Sequence, residues 1–118
     1  MGKTYKDLLV WNKAIDLAEA IYLVTDKFPR EEIFGLTSQM RRAAVSIPSN
    51  IAEGKLRNGN KEFRHFLSIA FGSGGELETQ VTLAKKLSKT KHLNYAEVDA
   101  LLLETMKMLN ALISSVKN

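Results

Sequence analysis

With 118 residues, 45% of them hydrophobic and 25% charged, the chain can bury one core but is short for two, so a single domain over residues 1–118 is expected. It has no cysteine, which excludes a disulfide framework, a thiolate metal site and a cysteine nucleophile and fits a reducing cytoplasm. The net charge of +4 is local: six basic and two acidic residues lie between positions 41 and 65, while the other 11 basic and 11 acidic residues cancel.

The chain opens MGKTYKDLLVWNKA, where charges at positions 3, 6, 7 and 13 prevent the unbroken apolar run of a signal peptide. No later stretch approaches membrane-spanning length, so a soluble, unexported protein without a membrane partner is expected. Two short matches are rejected: MG lacks the Ser/Thr of a myristoylation signal because Lys6 stands there, and GKT has no glycine-rich loop before it.

Four helices follow in order. Val10, Ala14, Leu17, Ile21, Val24 and Phe28 alternate four and three apart, beside a second stripe of Trp11, Ile15, Ala18 and Tyr22; Phe28-Pro29 ends this helix. The second helix is expected from about Leu36 to Glu53, stopped by Gly54, with Met40, Ala43, Ala44, Ile47 and Ile51 inward. Within it Pro48 removes a backbone donor and crowds the preceding turn. It is expected to bend or loosen the helix, with Ser49 and Asn50 supplying polar groups to the freed backbone.

Asn60 is the expected N-cap of the third helix, which carries Phe63, Phe66, Leu67, Ala70, Leu77, Val81, Ala84 and Leu87. Gly72, Gly74 and Gly75 imply either a break or a close neighbour, and the unbroken apolar phase from Ala70 to Leu77 favours continuity. A fourth helix covers about Tyr95 to Val116. Short connections make the whole an all-α, antiparallel up-down four-helix bundle.

Apolar residues exceed what a bundle helix needs, with 12 in the 19 residues from Val10 to Phe28 and 14 in the 22 from Tyr95 to Val116. A second buried face on the first and fourth helices, covered by other subunits, is one explanation; a single thick core with some exposed leucines is the other.

No catalytic set emerges. Glu62 and His65 form half of a di-iron-type Glu-x-x-His motif without the second half, and Glu76 and Glu78 point to different sides of a helix. No catalytic, cofactor or metal residues are expected. The residues with binding chemistry are Arg41, Arg42, Lys55, Arg57, Lys61 and Arg64, expected to share one end and flank of the bundle. Such cations suit phosphate contacts that do not read bases; a solvated surface pairing with Glu53 and Glu62 is the alternative.

The segments YKDLLVWNKAIDL, KFPREEIFGLTSQMRRAAVSIPSNIAEG, EFRHFLSIAFGS and ELETQVTLAKKL, in that order, resemble the four-helix bundle family encoded in intervening sequences of bacterial 23S ribosomal RNA genes. The resemblance covers about residues 5–88. It implies an antiparallel bundle assembling as a ring-like homopentamer, with no established enzymatic activity. More distantly it extends to the basic accessory protein of diversity-generating retroelements, which associates with a reverse transcriptase and nucleic acid. Arg41, Arg42, Ser49, Asn50, Ala52, Glu53 and Gly54 match the central motif, and Glu76, Glu78 and Gln80 match the ELETQ element. Gly74-Gly75 departs from the larger residues usual there, which bears on the straightness of the third helix. A non-enzymatic homo-oligomer binding RNA or DNA through its cations is therefore expected, or else a scaffold for an acidic protein partner such as a reverse transcriptase.

Overall fold

A computed structural model describes residues 4–117; Met1, Gly2 and Lys3, where the two rejected matches begin, lie outside them. Four helices form, α1 (Leu9–Thr25), α2 (Leu36–Leu56), α3 (Asn60–Ala84) and α4 (Ala96–Ser115), with 3₁₀ turns at Tyr5–Asp7 and Arg30–Glu32 and no strand among the described residues. Each helix packs on its chain neighbour and α1 closes on α4, while the diagonal pairs make no close backbone approach. The result is a four-cornered bundle of 47 × 21 × 21 Å. One end carries the α2–α3 turn and the ends of the chain; the other carries the α1–α2 and α3–α4 connections.

The inward stripe of α1 is Val10, Ala14, Leu17, Ile21 and Val24, all buried, with Phe28 buried just beyond the helix. The α1 helix stops at Thr25, three residues before Phe28. In α2, Met40, Ala43, Ala44, Ile47 and Ile51 face inward as their spacing requires.

Pro48 does not interrupt α2, which runs unbroken through it. Asn50 donates from Nδ2 to the Ser46 carbonyl at 2.8 Å and to Ser46 Oγ at 3.0 Å, and Ser46 Oγ meets Ser73 Oγ of α3 at 2.8 Å. The polar residues around the proline thus tie the turn to itself and to the next helix.

Gly54 does not stop α2 either. It is buried inside the helix against Phe63 and Phe66, and the chain turns only after Leu56. Gly59, at φ 87°, is the residue before α3 and supplies the left-handed backbone of the turn, so the N-cap is Gly59 and not Asn60. The α3 helix continues through all three glycines. Gly74 is buried where a Cβ would run into Met106 of α4, whereas Gly72 and Gly75 face open space.

The α4 helix spends its apolar excess within the chain. Leu102 and Leu109 are buried, and Leu101, Met106, Met108, Leu112 and Ile113 pack half-buried around the core, which leaves Leu103, at 60% exposure, as its one large exposed apolar side chain. The second uncovered face expected of α4 is absent. On α1 it is present, because Leu9, Ile15, Tyr22 and Leu23 remain exposed.

Candidate nucleic-acid interface

The six basic residues do not share one end. Arg41 and Arg42 precede Lys55 by more than a dozen residues of continuous helix, which places them about 20 Å away along the α2 axis. Lys55 and Arg57 lie at the end of α2, and Lys61 and Arg64 in the first turns of α3, so these four gather around the α2–α3 turn.

Arg41 is built into the fold. Its Nε donates to Thr25 Oγ1 at 2.8 Å, and one terminal nitrogen donates to Asp26 Oδ1 at 2.8 Å and to the Tyr22 carbonyl at 3.5 Å. The guanidinium lies 4.5 Å from the centre of the Tyr22 ring. Thr25 Oγ1 passes its own proton to the Ile21 carbonyl at 2.6 Å. Arg41 therefore closes the C-terminal turn of α1, where carbonyls lack helical partners and a cation is favoured. Arg41→Ala is expected to cost about 1–2 kcal/mol, while Arg42→Ala at an exposed position should fall within about 0.5 kcal/mol of wild type. Thermal melts of the two variants check this, and equal losses would refute the distinction.

At the turn the cations are held more loosely. Arg57 reaches one Glu53 oxygen with Nε at 3.0 Å and a terminal nitrogen at 2.6 Å, and its guanidinium lies 5.1 Å from the Phe66 ring centre. Lys55 Nζ stands 5.3 Å from the Phe63 ring centre. Arg64 donates from Nε to the Ile113 carbonyl at 3.2 Å, holding the last turn of α4 against α3. Among the described residues, Lys55, Lys61 and Arg64 have no acidic partner within 4 Å. Phe63 and Phe66 belong to the packing and not to an open stacking surface, since Phe63 is buried and Phe66 lies partly covered against Gly54.

The topology adds two cations that the sequence pattern alone did not group with these. The 3₁₀ turn holding Lys6 packs on α1 and α2, and Lys117 follows the end of α4, whose last turn Arg64 holds. An up-down path places both chain ends beside the α2–α3 turn, and that was the available signal. At the opposite end Lys89 pairs with Glu31 across the two connections, and this hydrogen bond holds the Glu31 carboxyl below its ordinary range and raises the Lys89 ammonium above its own.

Glu62 and His65 acquire no metal-binding company: the His65 ring meets Phe66 edge-on, and no group of three or more His, Asp or Glu side chains able to hold a metal occurs among the described residues. No described helix is long and apolar enough to cross a membrane.

The chain is a small all-α four-helix bundle with four of its cations gathered at one interhelical turn. The family model for the 23S rRNA-intervening sequence protein matches residues 6–111, and the chain belongs to that family. No curated protein matches it.

Proposed function

We propose that this protein is a non-enzymatic, cytoplasmic, homo-oligomeric bundle that binds the backbone of RNA or DNA through Lys55, Arg57, Lys61 and Arg64. The observation that carries the reading is the α2–α3 turn, where Lys55, Arg57, Lys61 and Arg64 have Glu53 and Glu62 in the same segment and a single ion pair forms. Cations without carboxylate partners remain available to phosphates, and such contacts fix position without selecting sequence. Arg42 extends the surface along α2 as a second, separate contact. Arg41, with its donors committed to α1, serves the fold.

The assembly proposed is a ring-like homopentamer, as the resemblance implies. The uncovered Ile15, Tyr22 and Val45 on α1 and α2 support burial between subunits. Five copies give a particle of about +20 and turn four modest contacts into a multivalent surface. A specific feature favours a second reading, a scaffold for an acidic protein such as a reverse transcriptase: Leu56, 73% exposed, stands between Lys55 and Arg57, as in a protein-binding patch.

Size exclusion with light scattering should give a mass near five subunits. The same particle should shift labelled RNA or DNA at low salt in an electrophoretic assay. A stable monomer at micromolar concentration would overturn the assembly. Failure of the intact particle to shift either nucleic acid would remove the nucleic-acid reading and leave the scaffold.

A further inference from the structure

Away from the cationic turn, in the half of the bundle that holds Arg42, the α2–α3 interface opens into a groove of about 470 Å³, within the size range of small-ligand sites. Arg42, Ser38 and Ser46 line it from α2, Glu76 and Gln80 line it from α3, and Phe34 stands at its rim. Two features of this groove are left unanswered by the chain itself; the unpartnered Oε1 of Gln80 is not one of them, because that atom is closed off inside the protein and a groove ligand does not reach it. Arg42 has no acidic partner among the described residues although Glu76 lines the same groove. Phe34 is 95% exposed, an aromatic face in water with nothing packed on it.

We infer that this groove seats one unstacked guanine of a single-stranded nucleic acid. On the α3 side the exposed Glu76 offers a carboxylate, whose two oxygens can accept from a pair of adjacent N–H donors. The α2 side offers the guanidinium fork of Arg42. Guanine matches that division. Its Watson–Crick edge carries only donors beside O6, the N1 hydrogen and the N2 amino group, while O6 and N7 are the acceptor pair that arginine binds in a bidentate manner. Adenine and cytosine each present a single exocyclic amine, and uracil presents one N–H. The Phe34 ring supplies the stacking face that single-stranded bases use on proteins. This rests on the nucleic-acid reading above and adds base selection to it: the turn holds backbone, and the groove takes a base.

The test is equilibrium binding of guanosine 5′-monophosphate to the full-length protein at low salt, compared with the adenosine, cytidine and uridine monophosphates. Guanosine monophosphate should bind about tenfold more tightly than the others. Glu76→Gln and Phe34→Ala, both at exposed positions, should each lower that affinity about tenfold with an unchanged melting temperature. Equal binding of the four nucleotides, no binding, or a preference that survives both substitutions overturns the assignment, as does a peptide segment that binds this groove where guanosine monophosphate does not. Salt-dependent RNA binding that persists without guanine preference would sink the groove alone. Loss of all RNA binding would sink the backbone reading with it.

Discussion

Gly54→Leu is expected to cost about 3 kcal/mol, and to lower the melting temperature by about 10 °C or more. A Cβ at position 54 would stand 2.7 Å from the Cβ of Phe66 and 3.2 Å from the Phe63 carbonyl oxygen. Neither neighbour is the free end of a flexible side chain, so relief requires α2 and α3 to separate along their shared face. That face is the most extensive helix contact of the bundle. Overpacking of this kind typically costs about 1–3 kcal/mol, and a leucine pushes to the upper end. The better helix propensity of leucine returns under about 1 kcal/mol. Gly72→Ala is the internal control: its Cβ meets nothing in the chain, so replacing a mid-helix glycine should stabilise by about 0.5–1 kcal/mol. Thermal melts of both variants decide it. An unchanged midpoint for Gly54→Leu would mean that the helices slide apart freely, and a loss for Gly72→Ala would mean that something outside the chain packs there.

Gly54 also shows what a sequence pattern can and cannot disclose. A glycine after a run of helical residues signals a stop as often as a close approach, and only the position of Phe66 on the facing helix decides which. Periodicity placed the cores of α1 and α2 residue by residue because those helices bury one face each, so apolar spacing maps directly onto burial. It misjudged α4 because counting apolar residues does not tell a second face from a broad first one. Leu101 and Met108 flank the core on one side and Met106 and Ile113 on the other, and together they widen the buried stripe.

The charged residues were legible as a composition but not as a place. Six basic residues between positions 41 and 64 are close in sequence, yet a continuous helix of 21 residues separates its own two ends by about 30 Å. Pro48 was expected to bend or loosen that helix; α2 runs unbroken through it, and Arg41 is directed by Thr25 and Asp26 of the preceding segment. Nothing in the sequence marks Thr25 as a partner for Arg41, since their bond joins residues from different elements. Lys6 and Lys117 come to the same end of the bundle as the turn for the same reason: tertiary topology, not spacing, brings them there.

Removing Lys55, Arg57, Lys61 and Arg64 together should abolish most of the salt dependence of RNA binding. Each phosphate contact on a single strand contributes a slope of about −0.7 to log K against log salt, so four contacts give nearly −3 per engaged subunit, or about a fiftyfold loss of affinity between 50 and 200 mM salt. The quadruple alanine variant should bind RNA with a slope closer to zero by that amount. Arg57 and Arg64 also hold Glu53 and the Ile113 carbonyl, so the quadruple variant loses structural contacts as well. Lys55→Ala with Lys61→Ala loses less, because neither lysine has an ion-pair partner among the described residues and only the contact of Lys55 with the Phe63 ring goes. That double variant should cost no more than about 1 kcal/mol and move the slope by about 1.4 per engaged subunit. Arg41→Ala should leave the slope where it was while lowering the melting temperature, since its guanidinium is occupied at the end of α1. An unchanged slope in the lysine double variant would place the nucleic-acid contacts away from the α2–α3 turn, and a slope altered by Arg41→Ala as strongly would show that the clamp at Thr25 and Asp26 opens to phosphate.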